Sequence, residues 1–348
     1  MDLRHIIRES NSLLQALRQI NDLRVGPLVL FVLDDNDKMV GTLTDGDARR
    51  ALISGVRVDD TLDKVMHRNF NYLRKGVNDD VRHLREQKQK KMKLVPILDD
   101  DNHIVDIIDL EKYRTKLPID AVIMAGGKGE RLRPLTEKTP KPLLKVGDKE
   151  IIDYNVDNLI DNGVTHISVT VNYLAEQLEE HYKEPYRGVK VETVREPKFL
   201  GTIGAVQFVK KFYNDTVLIM NSDLFTNIDL EDFYLHFEKN HADMSAVAVP
   251  YSISVPYGIF DIKGVREIKG VLEKPTYNYY ANAGIYLIRR EMLDTILPKD
   301  TFYNATDFME ALINAGKKVI RYPLSGYWID IGNKDEYKKA QEIAKHLG

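Results

Sequence analysis

The segment Ala121–Pro134 reads AVIMAGGKGERLRP, an apolar run of strand length followed by a glycine-rich loop and two arginines. Gly126, Gly127 and Gly129 let the backbone fold close to a ligand and turn its N–H groups toward phosphate oxygens. The loop lacks the Gly-x-x-x-x-Gly-Lys-Ser/Thr pattern of a P-loop, and Leu132 stands where a dinucleotide-binding loop needs its third glycine. The segment therefore predicts a strand followed by a phosphate-binding loop of another kind.

Strand and helix patterns alternate from this segment to the end of the chain. The predicted strands are Ala121–Met124, His166–Val171, Val189–Arg195, Thr216–Met220, Ser245–Pro250 and Ala283–Ile288. The predicted helices are Ile151–Asn162, Ala175–His181, Gly204–Phe212, Leu230–Asn240, Asp307–Ala315 and Lys334–His346. This alternation predicts an α/β fold with a mostly parallel sheet covered on both faces. Ligands of such sheets bind outside the carboxyl ends of the strands, so the residues after the first and fourth strands are the candidates for a site.

The first third of the chain contains an internal repeat, in which residues 28–47 and 93–112 match at an offset of 65. In each copy an apolar strand, a turn rich in Asp and Asn, and a second strand follow one another. A helix pattern precedes each pair of strands; Ser10 or Asn11 can cap the first helix and Asn78 the second. Two copies are too few for a solenoid, so the repeat predicts a paired module.

The end of the first copy reads Gly41-Thr42-Leu43-Thr44-Asp45-Gly46-Asp47. Together with the repeat, this motif resembles a pair of CBS domains, small βαββα modules that pack in twos and often bind adenine nucleotides. The resemblance implies that Thr44 and Asp47 contact the ribose and phosphate of a regulatory nucleotide. The alternative is that Thr44 caps a helix, with Asp47 near its positive end. The second copy carries Asp109 and Lys112 at the corresponding positions and is expected to be structural.

The composition excludes several function classes. The chain has 348 residues with 50 Lys+Arg, 53 Asp+Glu and a formal charge of −3, a balance that argues against nucleic acid as a partner. It has no cysteine, which excludes disulfides, thiolate metal sites and cysteine nucleophiles. Met1–His5 lacks the apolar core of a signal peptide and no run of 18 apolar residues occurs, so we expect a cytoplasmic protein without a membrane partner. The basic stretch Arg82–Lys93 is interpreted as a solvated helix face rather than a phosphate patch.

Three further motifs accompany the glycine-rich loop: Thr139–Leu144 (TPKPLL), Asn221-Ser222-Asp223 after an apolar strand, and Tyr327–Gly332 (YWIDIG). Together they resemble the signature of sugar-1-phosphate nucleotidyltransferases over residues 119–348. The resemblance implies a Rossmann-like sheet of the nucleotidyltransferase type, with a tandem CBS module before it.

The resemblance also implies roles for individual residues. Arg131 and Lys141 would be catalytic, and Asp223 and Asp330 would bind Mg²⁺. The nucleotide would contact Met124, Ala125, Gly126, Gly127, Gly129, Asn172, Glu196, Gly201 and Thr202. The sugar would contact Tyr257, Gly258, Glu273, Lys274, Asn282 and Ala283, and the stretch 277–280 is interpreted as a loop that covers the sugar. The alternative roles are a helix cap or turn for Asp223, the start of the last helix for Asp330 and an exposed surface position for Lys274.

The chemistry of such a transfer suits these residue types. A sugar 1-phosphate is largely ionised near neutral pH, by analogy with phosphorylated side chains, so its attacking oxygen needs no general base. The reaction instead needs repulsion between two anions to be screened and the reactants to be placed in line. Mg²⁺ accepts one or two carboxylates and keeps its other positions for substrate oxygens and water, so two aspartates from distant segments suit it.

The predicted organisation is a CBS-domain pair at residues 1–116 and a catalytic domain at residues 117–348, with a linker over 114–118. The fusion, with the motifs around Glu196 and Gly201, is similar to bacterial guanylyltransferases that make GDP-glucosamine for legionaminic acid synthesis. We therefore expect GTP and glucosamine 1-phosphate as substrates, Mg²⁺ as cofactor and a homodimer or higher homo-oligomer. Mannose- or heptose-1-phosphate guanylyltransferases, UDP-, dTDP- or CDP-sugar pyrophosphorylases, and a non-catalytic nucleotide-sensing subunit stay open as alternatives.

Overall fold

The computed structural model describes residues 3–24, 26–77 and 80–346. The chain divides into two compact units, Met1–Arg114 and Thr115–Gly348. The division lies inside the segment predicted as a linker, and each unit is described by itself below.

The first unit consists of two related three-stranded sheets. Its elements are β1 (Ile6–Arg8), α1 (Leu13–Asp22), β2 (Val29–Leu33), β3 (Met39–Thr44), α2 (Asp45–Ile53), β4 (Leu73–Arg74), α3 (Val81–Gln89), β5 (Leu94–Leu98) and β6 (Ile104–Asp109). In each sheet the first strand runs parallel to the second, which pairs antiparallel with the third: β1-β2-β3 and β4-β5-β6. The offset of 65 read from the sequence relates β2 to β5 and β3 to β6 residue by residue.

The two repeats share a core and differ at their ends. Phe31 and Leu33 of the first sheet pack with Leu94 and Leu98 of the second, which fits the predicted paired module. The first repeat has the full βαββα order, whereas after β6 the described residues form a turn and no second helix.

The helix caps of the first unit differ from those expected. Ser12 caps α1, in place of Ser10 or Asn11, through a capping box with Gln15. Asp80 caps α3, because its carboxylate accepts the backbone N–H of His83 at 3.0 Å. Asn78, the expected cap, lies outside the described residues.

The second unit is built on one large sheet. Its strands are β7 (Asp120–Ala125), β8 (Lys145–Val146), β9 (Lys149–Glu150), β10 (Ile167–Val171), β11 (Val191–Arg195), β12 (Thr216–Asn221), β13 (Leu224–Thr226), β14 (Met244–Ser254), β15 (Ile259–Lys263), β16 (Glu267–Leu272), β17 (Thr276–Arg289), β18 (Val319–Pro323) and β19 (Trp328–Asp330). Its helices are α4 (Ile151–Asp161), α5 (Ala175–His181), α6 (Leu230–Lys239), α7 (Arg290–Ile296), α8 (Ala305–Asn314) and α9 (Lys334–Ala344).

Seven strands form the sheet in the order β11-β10-β7-β12-β17-β14-β18. Parallel pairing joins β11, β10, β7 and β12, whereas β17 runs antiparallel to both of its neighbours. The predicted α/β fold with a mostly parallel sheet is thus confirmed. The strands β7 and β12 are near-continuous apolar runs because both faces of this part of the sheet are buried. On one face Val122, Val217 and Ile219 pack on Phe308 and Leu312 of α8.

Several predicted elements are wrong in extent or type. The helix expected over Gly204–Phe212 is a short 3₁₀ turn at Gly204–Phe208. The stretch 277–280, interpreted as a covering loop, belongs to β17, whose outer half pairs with the outer half of β14. The hairpin β15–β16 was missed in the sequence because its apolar residues are exposed and show no inward face. Within the described ranges, every helix is too short or too polar to cross a bilayer.

Candidate active site

The glycine-rich loop and Asp223 lie together because β7 and β12 are neighbours in the sheet. Asn221 at the end of β12 is opposite Met124 of β7, and the backbone N–H of Ser222 donates to the Met124 carbonyl at 3.2 Å. The strand ends open into a cavity of about 660 Å³, whose lining includes Met124, Ala125, Gly126, Gly127, Gly129, Arg131, Lys141, Asn172, Glu196, Gly201, Thr202 and Asp223. Its size is that of an ordinary small-molecule site.

Contacts from outside the loop hold the glycine-rich segment in place. Gly129 adopts a φ of +62°, and its carbonyl accepts the Thr136 hydroxyl at 2.8 Å. Tyr173, which follows β10, donates to the Thr136 carbonyl at 3.0 Å, and Gln177 donates to the Lys138 carbonyl at 2.8 Å. These hydrogen bonds order the loop before any ligand binds, which lowers the entropic cost of binding a phosphate chain.

The two candidate metal ligands converge through the pairing of two short strands. In the antiparallel pair β13–β19, Leu224 is opposite Asp330, and the N–H of Ile331 donates to the Asp223 carbonyl at 3.1 Å. The side chains meet at one point, because the Lys141 ammonium contacts Asp223 Oδ2 and lies 3.8 Å from Asp330 Oδ1. The two carboxylates and the lysine therefore form one charged cluster.

This cluster has the donors that a hard cation requires. The Oδ1 atoms of Asp223 and Asp330 are both buried without a hydrogen-bond partner. Burial, together with the charge of Asp223, raises the pKa of Asp330. Two unsatisfied carboxylate oxygens fit Mg²⁺, which needs only one or two protein carboxylates. In the part of the chain that the structure describes, no group of three or more His, Asp or Glu side chains could hold a metal.

Arg131 completes the positive side of the cluster. Its guanidinium packs against Gly332, where an added Cβ would lie 3.1 Å from Nη2, and Gly332 follows Asp330 by two residues. Arg131 is otherwise exposed to the cavity, so its five N–H donors are available to an anion.

Glu196 forms a buried acidic floor on the opposite side of the cavity. The residue is 4% exposed, and its Oε2 accepts the Leu200 N–H at 3.2 Å. Its Oε1 lies so close to Gly126 that any Cβ at that position would overlap it. Burial raises the pKa of Glu196. Asn172 donates to the Glu196 carbonyl at 3.4 Å, and Thr202 accepts the Ala305 N–H at 2.8 Å.

The predicted sugar-side residues do not reach this cavity. Tyr257 is 73% exposed, and Gly258 packs against Glu273 on the hairpin side, where Lys274 is also exposed. Asn282 donates to the Tyr286 hydroxyl at 2.8 Å. The structure therefore brings the nucleotide-side and metal-side residues together. The sugar-side residues are outside the lining of this cavity, in the turns before β15 and after β16 and on β17.

Comparisons with known proteins assign the family. The sequence profile of the nucleotidyl transferase family matches residues 120–346. The chain belongs to this family. The profile of the CBS domain matches residues 5–54, which is the first repeat.

Individual relatives of this nucleotidyl transferase are moderately similar. The bifunctional protein GlmU of Methanococcus maripaludis is 31% identical over 62% of the chain and 52% of its own length. Mannose-1-phosphate guanyltransferase beta-A of Xenopus laevis is 30% identical over 62% of each protein. The chain thus spans between half and two thirds of these relatives. The crystal structure of HddC from Yersinia pseudotuberculosis complexed with GMP-PN is 25% identical with a TM-score of 0.51, and the match covers 64% of the chain and 98% of HddC.

Sequence reasoning missed several residues around the nucleotidyl transferase cavity. Asn221, Ser222 and Phe199 line it, while Tyr173 and Gln177 bond to the carbonyls of Thr136 and Lys138, in the segment that follows its glycine-rich loop. Asn221 and Ser222 end an apolar strand directly before Asp223, and this position was a usable signal. Phe199 has no motif and could be found only from its place in the folded chain.

The first unit, which contains the CBS domain and is called the CBS unit below, has a cavity of about 500 Å³, which Thr44 and Asp47 line. The two residues also form the capping box of α2, because the Asp47 carboxylate accepts both the N–H and the hydroxyl of Thr44, at 2.9 and 2.7 Å. Burial alone would raise the pKa of Asp47, but these hydrogen bonds and the ion pair with Arg50 lower it. Lys91 and Lys93, from the stretch interpreted as a solvated face, line the same cavity.

Proposed function

We propose that the second unit transfers a nucleoside monophosphate from a nucleoside triphosphate to a sugar 1-phosphate, and releases pyrophosphate. The observation that carries the proposal is the convergence of Asp223, Asp330 and Lys141 beside the glycine-rich loop at the ends of β7 and β12. Membership of the nucleotidyl transferase family supports the same reaction.

In this reaction an oxygen of the sugar phosphate forms a bond to the α-phosphorus. The bond from that phosphorus to the oxygen bridging to the β-phosphate breaks, and pyrophosphate leaves with the electron pair. The backbone N–H groups of Gly126, Gly127 and Gly129 hold the phosphate chain, and Arg131 neutralises the charge that develops on the leaving group. Lys141 screens the repulsion between the two phosphates at the reacting centre.

Asp223 and Asp330 are proposed to hold Mg²⁺ through their Oδ1 atoms, which have no hydrogen-bond partner. When bound, the ion neutralises phosphate charge and polarises the α-phosphoryl group. The protein side chains then only bind and orient, because the attacking phosphate is already ionised and needs no base.

Guanine is the base that suits Glu196. A carboxylate only accepts hydrogen bonds, and guanine presents two adjacent donors, the N1–H and the N2 amino group, on one edge. Uracil and thymine present one N–H between two carbonyl oxygens, which a carboxylate repels. The guanylyltransferase among the relatives, and the HddC structure with GMP-PN, also support GTP.

For the acceptor we propose glucosamine 1-phosphate, as in the supply of an activated sugar for legionaminic acid and surface glycans. The family resemblance assigns Glu273, next to Gly258, to the sugar, and its carboxylate would bind the ammonium group of an amino sugar more strongly than a neutral hydroxyl. Mannose, heptose and glucose 1-phosphates are the competing acceptors.

The test is a panel assay of pyrophosphate release. The full-length protein is combined with GTP, UTP, dTTP or CTP, with each of the four sugar 1-phosphates, and with Mg²⁺ or EDTA. We expect release with GTP and glucosamine 1-phosphate that EDTA abolishes. Release with another pair of substrates would support the proposed transfer reaction and replace the proposed substrates. No release with any pair would favour a non-catalytic nucleotide-sensing subunit.

For the CBS unit we propose binding of a regulatory adenine nucleotide. Its cavity combines aromatic side chains, Phe31 and Phe70, with the cations of Arg50, Lys91 and Lys93, and this combination suits a flat base joined to phosphates. Dimerisation through the paired modules is the alternative role.

A further inference from the structure

Two exposed phenylalanines stand next to each other at the nucleotide cavity. Phe199 is 50% exposed and lines the cavity, and Phe302 is 53% exposed. Their ring centroids are 6.0 Å apart at an interplanar angle of 64°, an edge-to-face pair. A single exposed apolar residue needs no explanation, but a contacting aromatic pair at the mouth of a polar cavity does.

The backbone fixes the position of this pair. The N–H of Tyr303 donates to the Leu200 carbonyl at 2.9 Å, and the N–H groups of Ile203 and Gly204 donate to the Tyr303 carbonyl at 3.2 Å. Gly201 has a φ of +82° and packs so tightly that a Cβ would lie 2.6 Å from the Tyr303 carbonyl oxygen. The two segments are thus joined directly beside each ring, so Phe199 and Phe302 are presented on a rigid backbone.

The pair lies on the base side of the cavity. Phe199 is three residues after Glu196, and the next residue, Leu200, is buried and donates its backbone N–H to the Glu196 carboxylate. A base whose edge reaches Glu196 therefore has an aromatic ring beside it at the rim. Aromatic side chains bind bases by stacking, with a strength that depends on the area of the base rather than on its hydrogen bonds.

We propose that Phe199 is a stacking platform for the base of the nucleotide donor, and that Phe302 is a positioning residue that holds the Phe199 ring. This inference rests on the proposed function and adds a selectivity for large bases to the hydrogen bonds of Glu196. It predicts that removing the ring weakens the binding of GTP more than that of UTP, and leaves the binding of the phosphate chain unchanged.

The experiment measures equilibrium binding to the full-length protein by calorimetry in the presence of Mg²⁺. The probes are GTP, UTP and inorganic tripolyphosphate, which carries the phosphates without a base. We expect Phe199→Ala to lower the affinity for GTP about tenfold, to lower the affinity for UTP less, and to leave the affinity for tripolyphosphate unchanged. Phe199→Tyr should restore the affinity for GTP. Phe260→Ala removes an equally exposed phenylalanine on β15, away from the cavity, and should change none of the three affinities.

Phe302 is tested by a double-mutant cycle. We expect Phe302→Ala to weaken GTP less than Phe199→Ala does, and to have no further effect when Phe199 is already alanine. Unchanged GTP affinity in Phe199→Ala overturns the proposal. An equal loss of affinity for GTP and tripolyphosphate also overturns it, because the segment that carries Phe199 would then act on the phosphates and not on the base. If the wild-type protein binds GTP but releases no pyrophosphate, the proposed transfer reaction is rejected and the stacking role of Phe199 is still tested by the GTP affinities. If it binds tripolyphosphate but no nucleotide, the transfer reaction and the stacking role are both rejected.

Discussion

At the scale of single residues, the proposed reaction depends on the acidic pair. Asp223 lies in the turn between β12 and β13, Asp330 is the last residue of β19, and each has one buried oxygen without a hydrogen-bond partner. Lys141 contacts the same cluster, so the charges there are balanced only in part.

We predict that Asp223→Asn lowers turnover by about a hundredfold or more, because the amide keeps the shape but loses the charge that holds Mg²⁺. The measurement is pyrophosphate release with saturating substrates, with thermal unfolding to show that the variant is folded. Asp148→Asn, in the exposed turn between β8 and β9, is the matched control and should retain full activity. Full Mg²⁺-dependent turnover in Asp223→Asn would contradict the metal assignment.

Glu196 gives the second prediction at this scale. We expect Glu196→Gln to lower kcat/KM for GTP about 10- to 100-fold and to raise the relative use of UTP or dTTP, because an amide pairs with the N–H and carbonyl of those bases. Steady-state rates over the four nucleotides measure the shift. Since burial raises the pKa of Glu196, activity with GTP should also fall as pH drops toward that raised value, and this fall should be smaller in the variant, where Asp330 and the sugar phosphate still take up protons. An unchanged base preference would remove Glu196 from base selection.

At the scale of elements, the helices beside the glycine-rich loop are joined by a buried charge. Asp153 of α4 is 2% exposed and accepts hydrogen bonds from His181 of α5 at 3.0 Å and from Tyr182 at 2.7 Å. The hydrogen bond and ion pair with Asp153 raise the pKa of His181. The same helix α5 supplies Gln177, which donates to the Lys138 carbonyl in the segment that follows the glycine-rich loop.

This pair predicts a pH-dependent stability. Because the pKa of His181 is raised in the folded state, the His181–Asp153 pair contributes fully to the free energy of unfolding below the ordinary histidine pKa of about 6.5. This contribution is lost as pH rises through the higher folded-state pKa. We expect His181→Gln to reduce the free energy of unfolding by about 1–3 kcal/mol below pH 6, and by less above pH 8. Denaturant unfolding at several pH values measures this difference. In an Asp153→Asn background, the effect of His181→Gln on the free energy of unfolding should not depend on pH. If the effect of His181→Gln in the wild-type background is the same at every pH, the prediction is contradicted.

At the scale of the whole molecule, the question is whether a ligand bound to the first unit changes the reaction rate of the second unit. Asp47 both caps α2 and lines the CBS cavity, so its removal has a structural and a binding consequence. Asp45, in the same first turn, pairs with Arg49 and is not among the residues that line this cavity.

We predict that AMP or ATP raises the melting temperature and alters the rate of pyrophosphate release, and that Asp47→Ala abolishes both effects while Asp45→Ala retains them. Differential scanning fluorimetry and the release assay, at fixed GTP, measure the two responses. If neither nucleotide changes stability or rate in the wild type, the CBS unit has the dimerisation role, which light scattering of the full chain would show.

Local patterns in the chain were enough to predict the α/β class, the repeat at an offset of 65 and the loop after the first strand of the large sheet. These features show in the sequence because they depend on residue types that are close together along the chain, where hydrophobic periodicity and turn residues can be seen directly. Asp223 could be found in the same way, because it follows an apolar strand beside the predicted loop.

Contacts between distant segments were out of reach of that reasoning. The pairing of β13 with β19 sets Asp330 beside Asp223, and the joined backbones at Leu200 and Tyr303 set Phe199 beside Phe302. The hairpin β15–β16 carries exposed apolar residues without an inward face, and Asp153 meets His181 only because two helices pack together. Hydrophobic periodicity predicts which face of a helix or strand is buried. Which element packs against that face depends on the packing of the whole folded chain.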